Sequence, residues 1–172
     1  RRRTRRRRRT RRRRTRRRRV AIAPPTAPPA KGSLATTTPF FLMPGSVVGL
    51  MGLRSQKWCS NTGHSITCNK ASIGASEKFT IVKSSHGWIS LKSVSTNKYC
   101  QDLIVKVVCN SGSAGAYTRF LEVNLGPEWE SVGYFGLKGS RKQKSCSDAP
   151  DGMRCDVAQA LGYEKFSMKV VH

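Results

Sequence analysis

The sequence predicts an all-β domain of three four-stranded units, preceded by a disordered basic arm and a Pro-rich linker. Three observations lead to this prediction. One pattern of residue spacings occurs three times within residues 48–169. Inside each copy, short alternating runs are bounded by Gly, Asn and Ser clusters, which is typical of short strands and shows no helical period. The first nineteen residues contain only arginine and threonine, so they have no apolar surface to bury.

The repeat is defined by leucine, cysteine and phenylalanine. In each copy a leucine precedes a cysteine by nine residues, a second cysteine follows nine later, and a phenylalanine follows eleven after that. The copies contain Leu50, Cys59, Cys68 and Phe79; Leu91, Cys100, Cys109 and Phe120; and Leu137, Cys146, Cys155 and Phe166. We expect the leucines and phenylalanines to face inward. The pairs Glu77–Lys78, Thr118–Arg119 and Glu164–Lys165, just before the three phenylalanines, are interpreted as surface charge.

One unit of about 40 residues is too small to bury a core, so the three must share one. Three four-stranded units closing around a pseudo-threefold axis form a β-trefoil. A three-bladed propeller is the alternative, but propellers typically have four or more blades. The sequence therefore predicts a β-trefoil.

Two segments also carry a family resemblance. ISLKSVSTNKYC (89–100) and CNKASIGASEKFTIV (68–82) match the two halves of the fascin-like repeat, so residues 47–171 resemble a fascin-like β-trefoil. The resemblance implies the fold. Such domains occur in tandem in actin-bundling proteins and as appendages of carbohydrate-active enzymes, and the arginine arm is no part of the pattern.

The predicted organisation has three parts. Residues 1–19 form the arm, 20–38 the Pro/Ala/Thr linker, and 39–172 the trefoil, with repeats at about 46–85, 86–126 and 130–171. The apolar segment 39–43 is expected to plug the open end of the trefoil or to dock on a neighbour. No segment is long and apolar enough to predict a transmembrane helix.

The arm is expected to bind nucleic acid without sequence preference. The chain has a net charge of +24, of which the arm supplies +16 and the rest +8. Guanidinium groups hold phosphate in a bidentate fork, and an arginine run offers no logic for reading bases. The predicted phosphate-binding residues are Arg1, Arg2, Arg3, Arg5, Arg6, Arg7, Arg8, Arg9, Arg11, Arg12, Arg13, Arg14, Arg16, Arg17, Arg18 and Arg19.

The six cysteines have two interpretations. Each pair spans a segment that looks like a hairpin, which would place Cys59 opposite Cys68, Cys100 opposite Cys109 and Cys146 opposite Cys155. They are then either three disulfides formed in an oxidising setting, or reduced cysteines acting as small core residues. The fascin resemblance supports the second interpretation, because those positions are often apolar in that family. A spacing of nine disfavours zinc, so we predict no metal site.

We predict no enzyme and no cofactor. The histidines His64, His86 and His172 have no nucleophile or carboxylate arranged around them in the sequence, and no phosphate-binding glycine loop is present. Asp148, Asp151 and Asp156 cluster in the third repeat and are interpreted as a surface loop rather than a cation site.

The resulting hypothesis is a non-enzymatic structural protein. Its arm holds the backbone phosphates of nucleic acid while the trefoil docks on other structural proteins of an assembly. A virion or minor capsid component is the favoured setting, with the nucleus or a ribosome-containing organelle as alternatives. The other hypothesis is a trefoil that binds a glycan or a heparin-type polyanion. Its basic patch would be Lys138, Arg141, Lys142 and Lys144.

Overall fold

The computed structural model describes residues 42–160 and 162–172 of the 172-residue chain. The predicted arm and linker lie outside the described residues. The described part contains twelve strands: β1 (Val47–Gly52), β2 (Lys57–Asn61), β3 (Ile66–Lys70), β4 (Lys78–Lys83), β5 (Ile89–Ser93), β6 (Tyr99–Asp102), β7 (Val107–Ser111), β8 (Phe120–Val123), β9 (Tyr134–Gly139), β10 (Ser145–Ala149), β11 (Gly152–Val157) and β12 (Lys165–Val170). Three one-turn helices accompany them, at Ala75–Glu77, Ala116–Thr118 and Pro127–Glu130.

Six of the strands close into a barrel. Antiparallel pairing runs from β1 to β4, β5, β8, β9 and β12, and β12 returns to β1. The other six strands form three hairpins, β2–β3, β6–β7 and β10–β11, each joined to the barrel through the first strand of its unit. Unit 1 is β1–β4, unit 2 is β5–β8 and unit 3 is β9–β12. The predicted all-β architecture of three four-stranded units is confirmed.

The repeat residues form the centre of the core. Each of the three leucines and three phenylalanines of the repeat is at most 1% exposed, as predicted: Leu50, Leu91, Leu137, Phe79, Phe120 and Phe166. Leu42 is buried in the same cluster, whereas Met43 next to it is 67% exposed. Leu42 thus packs against the core, while residues 39–41 of the predicted plug lie outside the described residues.

The cysteines are also core residues. The two members of each pair lie directly opposite each other in the β2–β3, β6–β7 and β10–β11 hairpins. The structure joins them as disulfides Cys59–Cys68, Cys100–Cys109 and Cys146–Cys155. This placement supports the disulfide interpretation, and the oxidised state in solution stays a prediction that a measurement below tests.

The interpretation of the pairs before the repeat phenylalanines as surface charge is wrong for four buried members: Glu77, Thr118, Glu164 and Lys165. Glu77 and Glu164 are only 6% and 7% exposed. Their carboxylates accept backbone N–H groups at 2.7 Å, from Gly74 and Gly162 respectively. In unit 2 the hydroxyl of Thr118 accepts the N–H of Gly115 at 2.8 Å. Each of these side chains thereby supplies an acceptor to a backbone amide of the loop before the fourth strand of its unit.

Polar side chains also link each unit to the next. The residue two positions after the first cysteine of a unit packs against the last residue of the first strand of the following unit. These pairs are Asn61 with Ser93, Asp102 with Gly139, and Asp148 with Gly52. In the first pair the Asn61 amide donates to the Ser93 hydroxyl at 3.0 Å. In the other two pairs the partner is a glycine, and a Cβ atom there would collide with the buried carboxylate. The three links follow the pseudo-threefold axis around the domain.

Candidate functional site

The exposed surface of the domain is more basic than its composition suggests. Residues 42–172 contain sixteen Lys/Arg and nine Asp/Glu, a net charge of +7. Four of the nine carboxylates are buried: Glu77, Asp102, Asp148 and Glu164. Among the cations of the described residues, only Lys165 is buried. A ligand approaching the described surface therefore meets fifteen cations and five carboxylates.

Five cations lie on one hairpin and the strand beside it. The predicted residues Lys138, Arg141, Lys142 and Lys144 belong to β9 and the turn that leads into β10. The N–H of Ser140 in this turn donates to the Arg119 carbonyl at 3.0 Å, and its hydroxyl donates to the Ala116 carbonyl. These contacts place Arg119, the residue just before β8, next to the turn. We call Arg119, Lys138, Arg141, Lys142 and Lys144 the β9–β10 basic patch.

A tyrosine orders one of the guanidinium groups. The guanidinium carbon of Arg141 lies 4.7 Å from the ring centre of Tyr117. Tyr117 is 49% exposed, so the stack stands at the surface. A cation over an aromatic face is held by the ring quadrupole, and a stacked guanidinium keeps N–H donors at its edge. Arg141 is thereby positioned to meet an anion.

No carboxylate neutralises the patch within the described residues. The ion pairs found in that part of the chain join Arg154 to Asp151 at 3.7 Å and to Asp156 at 3.2 Å. In the patch, the ammonium group of Lys144 donates to the backbone carbonyl of Asp156 at 3.2 Å. The positive charge of the patch therefore remains available to a ligand.

An open pocket of about 440 Å³ adjoins the patch at Lys138. Its polar lining comes from Glu122, Asn124, Ser145 and Gln159 besides that lysine, and apolar side chains such as Leu121 complete it. A carboxylate, two amides and a hydroxyl on an apolar wall offer both donors and acceptors to a ligand rich in hydroxyl groups.

Glu122 in this pocket is partly withdrawn from water. Burial raises the pKa of its carboxyl, the Leu42 N–H that it accepts at 3.2 Å lowers it, and the nearby negative charge of Glu130 raises it. The net shift is upward from 4.5. A carboxyl with a raised pKa in the folded state favours folding below its unfolded pKa and loses that contribution as the pH rises through the folded value.

We therefore expect Glu122→Gln to raise the melting temperature at pH 7 and to lose this advantage below about pH 4. The glutamine keeps an oxygen for the Leu42 N–H while it removes the charge. Thermal unfolding at a series of pH values measures the effect. Glu128→Gln, which removes an exposed carboxylate from the same region, is the control. An advantage for Glu122→Gln that does not depend on pH would contradict this origin.

The remaining predicted site residues lie elsewhere. The sixteen arginines of the arm lie outside the described residues. Asp148 is buried and accepts the N–H of Ser55 at 3.1 Å, so its interpretation as a surface-loop residue is wrong. Asp151 and Asp156 are exposed, as that interpretation expects. No group of three or more His, Cys, Asp or Glu side chains suited to a metal ion is found among residues 42–160 and 162–172.

Sequence reasoning missed two members of the site, Arg119 and Tyr117. Both lie about twenty positions before the β9–β10 turn and in another unit. The one sequence signal for them is the repeat alignment. It shows that the loops before the fourth strands of the three units are equivalent. No helix in the part of the chain that the structure describes is long and apolar enough to cross a membrane.

Comparison with known proteins identifies the fold. No family model and no curated protein matches the chain. Among solved structures, the designed threefold-symmetric protein ThreeFoil is similar at a TM-score of 0.61 and 15% identity, over 73% of this chain and 99% of its own. SeviL, solved bound to the asialo-GM1 saccharide, gives 0.62 and 13%, over 74% and 99%. The BEL β-trefoil gives 0.62 and 9%, over 75% and 95%.

At these sequence identities the structural similarity establishes the fold, but not a family or a function. It agrees with the closed six-stranded barrel and its three hairpins. The resemblance to fascin-type domains stays a prediction. The described domain is a β-trefoil.

Proposed function

We propose that the trefoil is a non-enzymatic binding module for an anionic polysaccharide of the sulfated, heparin-like class. The observation that supports this most directly is the β9–β10 basic patch. It gathers five cations, one of them stacked on a surface tyrosine, and no carboxylate pairs with them among the described residues. Sulfate and carboxylate groups are the natural partners of such a surface.

The pocket beside the patch supports a sugar rather than a bare anion. Its mixture of carboxylate, amide, hydroxyl and apolar groups suits a ring that carries several hydroxyls. Lys138 lines the pocket and belongs to the patch, so one ligand can place a ring in the pocket and a charged substituent on the cations. SeviL was solved with a saccharide bound, which makes carbohydrate a reasonable ligand class for this fold.

Charge reversal tests the proposal. Arg141→Glu combined with Lys142→Glu is expected to weaken heparin binding on the order of tenfold or more, because two attractive contacts become repulsive. The slope of log affinity against log salt should also fall by about two, one for each lost contact. The measurement is isothermal titration across a salt series, using a chain that begins at Lys31, which keeps every core residue that the structure describes.

The matched control is Lys83→Glu combined with Lys169→Glu. It makes the same change in net charge on strands β4 and β12, outside the patch. Equal losses for both double variants would mean that net charge alone attracts heparin, and the proposed site would be abandoned.

A second candidate function rests on the arm. Sixteen arginines without an acidic residue favour a sequence-independent clamp on nucleic acid, with the trefoil as its scaffold in an assembly such as a virion. Duplex DNA and single-stranded RNA should bind the full chain with a steep salt dependence and should bind the chain from Lys31 far more weakly. If the shortened chain bound nucleic acid as tightly as the full chain, the arm would not be the nucleic-acid-binding segment.

A further inference from the structure

The stack of Arg141 on Tyr117 has a counterpart at another junction between units. There the guanidinium carbon of Arg54 lies 5.1 Å from the ring centre of Tyr163. Tyr163 is 47% exposed, close to the 49% of Tyr117, so both stacks stand at the surface. In each case the arginine comes from the turn after the first strand of one unit, and the tyrosine from the loop before the fourth strand of the preceding unit.

The two stacks occupy equivalent positions in the repeat. Each arginine follows its repeat leucine by four residues, and each tyrosine precedes its repeat phenylalanine by three. The same backbone contact underlies them. Leu53 N–H donates to the Lys165 carbonyl at 3.0 Å, and Ser140 N–H donates to the Arg119 carbonyl at 3.0 Å.

The third junction has this backbone contact without the stack. Val94 N–H donates to the Lys78 carbonyl at 3.0 Å, but the positions of the arginine and tyrosine are taken by Ser95 and Ser76. One scaffold therefore occurs three times, and two of its copies carry a guanidinium on an exposed ring. The third copy is an internal control.

We propose that the Arg54–Tyr163 stack is a second anion subsite, so that one domain takes two charged groups of the same polysaccharide. The ligand class rests on the proposed function. The tyrosine covers one face of each guanidinium and leaves its edge for sulfate, while the exposed ring offers a flat surface to a sugar. Within the described residues neither arginine belongs to an ion pair.

The two subsites differ in strength. Lys142 follows Arg141, whereas the equivalent residue after Arg54 is Ser55. Arg119 borders the first subsite, whereas the equivalent Lys165 is buried, with its ammonium 3.6 Å from the ring centre of Trp129. Fewer exposed cations surround Arg54, so its subsite is the weaker one. Two subsites on one rigid domain make affinity rise with ligand length once a chain spans both.

Amide NMR on the full chain tests this inference with a short heparin oligosaccharide as the probe. We expect the amide chemical shifts of residues 140–144 to change first as ligand is added. Those of residues 53–57 should change at several-fold higher ligand concentration. Those of residues 94–98 should not change. Arg54→Ala combined with Tyr163→Ala should abolish only the response of residues 53–57. With long heparin chains, this variant should bind about tenfold more weakly than the native chain.

Ser95→Arg combined with Ser76→Tyr supplies the matched gain of function. It should make the amides near residue 95 respond as those near residue 54 do. Shifts at 140–144 with none at 53–57 would overturn the second subsite and leave the proposed function standing. If the amide chemical shifts changed neither at residues 140–144 nor at residues 53–57, the proposed function would be overturned as well. An equal response to a short DNA duplex would overturn the assignment to a polysaccharide.

Discussion

Reduction of the three disulfides is expected to lower the free energy of unfolding by roughly 8 kcal/mol. Each disulfide joins cysteines nine residues apart, and closing so short a loop removes chain entropy worth about 2.7 kcal/mol from the unfolded state. A domain of this size is typically stable by about 5–15 kcal/mol, so the reduced trefoil should be marginal or unfolded. This is the largest effect that we expect from any single change of condition.

Urea unfolding with and without reductant measures this loss. Thiol alkylation of the unreduced, denatured chain, followed by mass determination, should find no free cysteine. The double variants Cys59→Ala/Cys68→Ala, Cys100→Ala/Cys109→Ala and Cys146→Ala/Cys155→Ala separate the three bonds. Because reduction keeps the sulfur atoms in the core and alanine does not, the difference between the two treatments isolates packing. Six free thiols, with stability unchanged by reductant, would establish the reduced interpretation instead.

Gly139→Ser is expected to destabilise the domain by about 3 kcal/mol through overpacking. A Cβ atom on Gly139 would collide with the Asp102 carboxylate and would lie 2.9 Å from the Cβ of Cys155. Asp102 cannot move out of the way cheaply, because it is fully buried and its Oδ1 accepts the Ile104 N–H at 2.9 Å. The other carboxylate oxygen has no hydrogen-bond partner among the described residues.

Adding Asp102→Asn should recover part of that loss through a new hydrogen bond, although the crowding by the serine Cβ remains. The double variant copies the link between units 1 and 2, where Asn61 donates to Ser93 at 3.0 Å. An asparagine also removes a buried charge and can donate to the new hydroxyl. Chemical denaturation of the two single variants and the double variant gives a coupling energy, expected to be about 1–3 kcal/mol in favour of the pair. Additive losses would show that the three links are not interchangeable.

The core could be predicted from the sequence because the residues that define the repeat are also the residues that form the core. Leu50 and Phe79 recur at fixed spacings, and residues that recur in all three units are those that the shared core requires. The same reasoning failed for Glu77 and Asp148. Their buried carboxylates accept the N–H groups of Gly74 and Ser55 in loops, and a list of residue types does not show such contacts.

The candidate site was predictable only in part. The run from Lys138 to Lys144 is visible in the sequence as a cluster of charge. Tyr117 joins it because loops of successive units meet in space, which the order of the chain does not show. Nothing in the sequence distinguishes Arg54 from other surface arginines. Its role is visible only in the structure, where it stacks on Tyr163 at the junction equivalent to that of Arg141 and Tyr117.

The closing of the barrel has a consequence for how the chain folds during its synthesis. The hairpins that carry the cysteines are local, so each can form and be locked soon after it emerges. The ring, however, closes through pairing of Val48 with Val170, and β12 is the last of the twelve described strands along the chain. Until then the nascent sheet presents open edges at β1 and β9, which can pair with other chains. Aggregation of this protein should therefore depend on how long that interval lasts.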